Sequence, residues 1–196
     1  MIKRIDAGKI NEMGRINRYR LLAALALVAV PVTAQNYSEG FTFLKGVRER
    51  DAPKVQEIAS RPNPAVINAR DPGSGEGALH ILVRGRDLSW LTFLLARGAR
   101  PDLQANDGTT PLILAAQIGW IDGAEQLLAR GANVNLGNSR GETPLIMAVQ
   151  RRDLAMVRLL RGQGANPNQS DHVAGYSALD YARQDRRAAA ILRELE

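Results

Sequence analysis

The sequence predicts an all-α repeat solenoid: stacked helix-turn-helix units with projecting, β-hairpin-like loops. Three observations predict it. The stretch Gly108-Thr109-Thr110-Pro111-Leu112-Ile113-Leu114-Ala115-Ala116 returns as Gly141-Glu142-Thr143-Pro144-Leu145-Ile146-Met147-Ala148-Val149, and with Gly75 before and Gly175 after, the leading glycines stand 33, 33 and 34 residues apart. A second series, Gly98-Ala99, Gly131-Ala132 and Gly164-Ala165, keeps the same spacing of 33. Two independent markers on one period signal an array of small stacked units. The aromatic content is only 5%, which suits a thin core filled by Leu, Ala, Val and Ile.

Residues 1–34 read as a cleaved signal peptide. Arg15, Arg18 and Arg20 precede an apolar run of ten residues, Leu21 to Val30. Pro31-Val32-Thr33-Ala34 then places small residues at −3 and −1 of a cut before Gln35. The run is shorter than the roughly 20 apolar residues of a membrane span. No stable membrane insertion is therefore expected after cleavage. The pattern looks bacterial, so the expected location is the periplasm or outside the cell. The chain has no cysteine, which excludes disulfides, thiolate metal sites and a Cys nucleophile and is compatible with an oxidising compartment. Formal net charge is +6, but residues 1–34 hold +4 of it. The small remainder, with export, argues against nucleic acid as a partner.

Residues 35–40 read as a flexible lead, and 41–196 as the repeat domain, with about five units. In the first, degenerate unit Phe43, Leu44 and Val47 lie at helical spacing, as do Val55 and Ile58 on a second helix. Asp51 is placed to cap that second helix, and Pro53 is tolerated in its first turn. Arg61-Pro62-Asn63-Pro64 breaks the chain, and Val66 to Asp71 reads as a repeat-closing segment. In the second unit Leu79, Leu82 and Val83 make an inner-helix face; Asp87 caps an outer helix whose Leu91, Leu94 and Leu95 face inward. In the third, Thr110 caps, Pro111 fits the first helical position and Gly119 closes the helix in a left-handed conformation. Ala124, Leu127 and Leu128 form its outer stripe. The fourth repeats this with Thr143-Pro144-Leu145, Asp153, Val157 and Leu160, departing at Arg161, whose stem is buried along the surface unless the helix rotates. The fifth, Tyr176 to Leu195, is rich in charge and reads as a C-terminal cap.

Thr-Pro-Leu opening a helix, a Val-x-x-Leu-Leu-like second helix and a closing Gly-Ala-x-x-Asn resemble ankyrin repeats. The resemblance covers roughly Phe41 to Leu195. It implies a protein-binding module whose concave surface comes from the inner helices and loop tips. Carried over by alignment, the candidate protein-binding residues are Arg84, Gln117, Trp120, Arg140, Gln150, Arg151 and Tyr176. Trp120, just past Gly119, is expected to reach the groove as an aromatic anchor.

No catalytic, cofactor or metal site is expected. His80 falls at a repeat position suited to a structural hydrogen bond between loop and helix. His172 is expected to be solvated. Ser170, Asp171 and His172 are adjacent and so lack the convergence of a triad. Gly73-Ser74-Gly75-Glu76-Gly77 lacks the Lys-Ser/Thr of a phosphate loop and reads as a turn. The function expected is a non-enzymatic, monomeric periplasmic interaction module. The alternative is an inhibitor or immunity-type regulator of a periplasmic enzyme or toxin.

Overall fold

A computed structural model describes residues 32–61 and 64–196. The basic n-region and the Leu21–Val30 run lie outside the described residues. Eleven α-helices are present among those described: α1 Val32–Glu49, α2 Ala52–Ala59, α3 Pro64–Ile67, α4 Ala78–Arg84, α5 Leu88–Ala96, α6 Pro111–Ile118, α7 Ile121–Ala129, α8 Pro144–Arg151, α9 Leu154–Gly162, α10 Ala178–Gln184 and α11 Ala189–Leu195. No strand is formed among them; one isolated bridge joins Ser170 and Ser177. None of the described helices is long and apolar enough to cross a membrane.

The unit Asn36–Glu196 is a two-layer stack. Inner helices α4, α6, α8 and α10 pack side by side, and so do outer helices α5, α7, α9 and α11. Within each of these four repeats the inner helix packs on its own outer helix. The shared core is a string of small and branched residues. Ala115, Ala116 and Ala148 are fully buried, which lets neighbouring inner helices approach closely, and Leu112, Ile113, Leu127, Ile146 and Leu160 fill the seams. A lone unit of about 33 residues cannot bury enough apolar surface to offset its ordering entropy; stacking supplies the second face.

The helix starts follow from the sequence. Asp51, Asp87 and Asp153 accept the backbone N–H of Lys54, Trp90 and Met156 at the outer-helix starts. Thr110 and Thr143 do the same for Ile113 and Ile146, each with Pro next. Gly119 closes α6 at φ 65°. In the first, second and fourth repeats the corresponding left-handed residue is an arginine: Arg50, Arg86 and Arg152, at φ 57°, 49° and 60°. A side chain at such a φ is uncommon.

Two elements depart from expectation. The lead expected at 35–40 lies inside α1, which runs unbroken from Val32 to Glu49. A Cβ on Gly40 would come within 2.7 Å of the Ala69 Cβ, so glycine there lets α1 lie close on the end of the repeat, and Glu39 is 3.6 Å from Arg61. The segment expected to close the first repeat begins as a helical turn, α3, which buries Val66 and Ile67.

The loops between repeats are hairpin-like. Each tip is closed across itself, as by Ala105 N–H to Thr109 O at 2.9 Å and Asp171 N–H to Tyr176 O at 3.0 Å. Each tip also bonds the next one. Asn106, Ser139 and His172 donate their N–H to the carbonyls of Ser74, Asp107 and Arg140, at 2.9, 2.9 and 2.7 Å. These bonds fix the register of successive repeats.

Candidate protein-binding surface

The inner-helix ends and loop tips carry the residues that differ between repeats. Arg84, at the end of α4, is exposed and ion-paired with Glu76. Arg140 is exposed on the third inter-repeat loop, 3.2 Å from Glu142. Gln117 is half-buried; its Nε2 meets Met147 Sδ at 3.4 Å. Gln150 is exposed near the end of α8, and its amide interacts with the Tyr181 phenol. Tyr176 is 41% exposed. Its ring meets Tyr181 edge-on at 5.6 Å, an arrangement that fixes its orientation.

Trp120 is a correction. The residue is 6% exposed and belongs to the core, so it does not reach the surface expected of it. It stands at the N-cap of α7, where α2, α5 and α9 place aspartate, and makes no side-chain cap bond. A Cβ on Gly123 would run into the Trp120 ring. The missing side chain at 123 is therefore the bed in which the indole lies. In the second repeat the same two positions read Asp87 and Trp90, so bulk has moved from one to the other.

Arg151 is exposed, yet its Nη1 donates to Gln117 O at 3.0 Å and it covers Gly119. It therefore caps the last turn of α6, where the helix dipole favours a cation. Arg86 treats Ile118 O in the same way at 2.6 Å. Arg152 bonds Asp185 in the next repeat, and Arg48 bonds Asp71. That hydrogen bond, with the N–H groups of Ser74 and Gly73, lowers the Asp71 carboxyl to about 2. Many of the arginines thus tie one repeat to the next. Arg161 is half-buried, the first of the two arrangements its position allowed; its Nη1 bonds Ala165 O at 2.7 Å, and its Nε is buried without a partner among the described residues.

His80 is fully buried. Its Nδ1 accepts from Gly77 N–H at 3.2 Å, and its Nε2 lies 2.9 Å from Thr109 O, which fixes the Nε2–H tautomer. Burial first of all holds its pKa below the usual value. It joins a helix start to the next loop, a structural bond. His172 is exposed.

Asp171 belongs to the fifth-repeat scaffold and not to a triad. Its Oδ1 accepts N–H from Val173, Ala174 and Gly175 at 2.9, 2.7 and 3.1 Å, and its Oδ2 accepts the Tyr181 hydroxyl at 2.6 Å. Burial alone would raise this carboxyl; the Tyr181 and backbone bonds outweigh it and hold it below its ordinary range. The same bond, first among the causes, raises the Tyr181 phenol to about 12. The loop tip so held presents Val173, 66% exposed, beside Tyr176. Sequence reading missed Val173, because nothing but its place at a loop tip distinguishes it from a core valine. The structure thus brings Arg140, Gln150 and Tyr176 to neighbouring elements of the fourth and fifth repeats. Arg84 lies apart on the second.

A stack of paired helices with a variable surface of inner-helix ends and loop tips defines a repeat scaffold for recognition. The family model for ankyrin repeats in three copies matches residues 79–171 and 122–193, and the chain belongs to the ankyrin repeat family. Members of that family are generally protein–protein interaction modules.

Proposed function

We propose that this chain is a non-enzymatic protein-binding module, exported to the periplasm with residues 1–34 removed, which holds a partner protein on the concave side formed by inner helices and loop tips. The contact centres on Tyr176. One observation carries this reading: Tyr176 is an exposed aromatic whose ring packs edge-on against Tyr181, with exposed Val173 on the same loop tip and Arg140 on the preceding loop. Large, oriented aromatics next to arginine are the residues that dominate binding energy at protein interfaces.

The experiment is a pull-down from periplasmic extract with tagged chain, followed by affinity measurement against the recovered partner. N-terminal sequencing of the exported bait should begin at Gln35 or within a residue or two. Tyr176→Ala should weaken the complex by about 30-fold or more, as expected of a hot spot, with the denaturation midpoint held. Unchanged affinity would remove Tyr176 from the interface. A bait retaining Leu21 to Val30 would replace export and cleavage by an anchored chain.

A further inference from the structure

The first two repeats enclose a cleft that lies away from the Tyr176 surface. Its volume is about 160 Å³. Its apolar walls are Val47 of α1, Val55 of α2, and Leu82, Trp90 and Leu94 of the second repeat. It is open because Gly85 carries no side chain where the third repeat has half-buried Ile118 and the fourth has Arg151. The Trp90 ring in its wall stands edge-on to Phe93, at 5.1 Å.

The charged groups at and beside this cleft are Arg48, Arg50 and Arg86 against Asp71 and Asp87, an excess of one positive charge. Arg48 and Arg50 line it together with Asp87. Asp87 is engaged by the Trp90 N–H as a helix cap, and Arg48 is engaged by Asp71. The Arg50 guanidinium has no carboxylate partner among the described residues, and Arg86 beside Gly85 bonds only a carbonyl, that of Ile118. An apolar hole thus adjoins a guanidinium that forms no ion pair among the described residues.

We propose that this cleft binds an acidic peptide segment of a partner protein: one apolar side chain fills the hole and a neighbouring Asp or Glu carboxylate takes Arg50. Charge-assisted guanidinium–carboxylate bonds are among the stronger polar contacts, and the apolar residue adds the burial that an exposed ion pair lacks. Charge complementarity selects this occupant. The chain's own apolar run, Leu21 to Val30, is flanked by Arg15, Arg18 and Arg20, which would set arginine against Arg50. A second copy would bring its own arginine-rich rim against this one.

The test uses the full chain and three labelled synthetic peptides: an acidic peptide with Leu-Phe at its centre, the same with Ser-Ser, and a lysine-rich peptide with Leu-Phe. Two variants accompany it. Gly85→Ile fills the hole with the residue the third repeat carries; the backbone there is ordinary helix at φ −77°, and a Cβ would meet nothing closer than Ile81 O at 3.5 Å. Arg50→Asn removes the guanidinium with a residue that tolerates the left-handed conformation. Fluorescence anisotropy should show saturable binding of the acidic Leu-Phe peptide, with amide shifts at Val47, Gly85 and Trp90. Each variant and the Ser-Ser peptide should bind about 10-fold more weakly or less, and the lysine-rich peptide should not bind. Thermal midpoints of the variants check the fold. Binding undiminished by either correctly folded variant, equal binding of the lysine-rich peptide, or no binding near 1 mM, the weak end of measurable affinity, would overturn the proposal. Self-association in sedimentation, abolished by Gly85→Ile, would also overturn it and assign the cleft to a second copy. Tyr176→Ala should leave peptide binding unchanged, so this proposal and the Tyr176 reading fail separately.

Discussion

Replacing Gly123 by alanine measures how Trp120 is held. In a helix interior, alanine is favoured over glycine by up to about 1 kcal/mol. Here the added methyl would enter the Trp120 ring, and Trp120, 6% exposed, has little room to withdraw. Overpacking a filled core typically costs about 1–3 kcal/mol, so Gly123→Ala alone should destabilise by roughly 1–2 kcal/mol once the helical gain is subtracted. Trp120→Ala alone removes a buried indole and should cost about 3–5 kcal/mol. In the double variant the clash is gone and the helical gain remains. Gly123→Ala should then stabilise the Trp120→Ala background by up to about 1 kcal/mol. Its effect reverses sign, giving a coupling of about 2–3 kcal/mol, within the range for residues in contact. Urea denaturation of the four proteins reads this cycle, provided the m-value is common to all. If Gly123→Ala has the same effect in both backgrounds to within about 0.5 kcal/mol, the indole does not rest on Gly123 and the packing argument fails.

Two further predictions concern a tie between repeats and a bond within the fifth. Asn68 and Asn135 each donate Nδ2 to a glycine carbonyl of the following repeat boundary, Gly98 and Gly164, both at 3.2 Å. Asp102 holds the equivalent place and accepts the Asn133 N–H at 2.9 Å, but an ionised carboxylate has no proton for Gly131 O. Asp102→Asn should therefore stabilise by about 0.5–1 kcal/mol, and an unmoved or lowered denaturation midpoint would contradict it. The Asp171–Tyr181 bond should shape the pH profile at both ends. The lowered Asp171 pKa contributes stability above the unfolded value near 3.9, lost as pH falls through the folded value. The raised Tyr181 pKa contributes stability below about 10, lost as pH rises toward about 12. Tyr181→Phe should flatten both limbs; a profile unchanged at both ends would show that the bond contributes little.

The framework was legible because each repeat states its boundaries locally. Thr110, Thr143, Asp87 and Asp153 act at helix starts through their own side chains and the backbone a few residues on. Such signals need no knowledge of the neighbours. The fate of Trp120 needed two positions read together. A tryptophan following a helix-closing Gly119 suggests exposure; the same tryptophan three residues before Gly123 has a bed. The pairing Asp87–Trp90 in the preceding repeat, exchanged for Trp120–Gly123, was the available signal. The arginines were less legible still. Arg151 serves Gln117 O and Arg86 serves Ile118 O; which carbonyl each meets depends on the register between repeats, and no single repeat encodes that.

These corrections move the binding question toward the ends of the array. A middle repeat is stabilised by both neighbours, and its variable positions are drawn into that work: Trp120 into the core, Arg86 and Arg151 onto the carbonyls that end α6. An end repeat has one neighbour. At the C-terminal end, Asp171 gathers a loop tip from within and leaves Tyr176 and Val173 facing out. At the N-terminal end, the degenerate first repeat meets Gly85 and leaves a cleft lined by Arg50, which forms no ion pair among the described residues. In a scaffold whose stability is a nearest-neighbour sum, side chains near the ends are freer to serve recognition, because fewer inter-repeat contacts claim them. The same reasoning sets an order of sensitivity. Substitutions at Tyr176 or Arg50 should change binding with little loss of stability, whereas those at Trp120, His80 or Leu127 should change stability first and binding only through it.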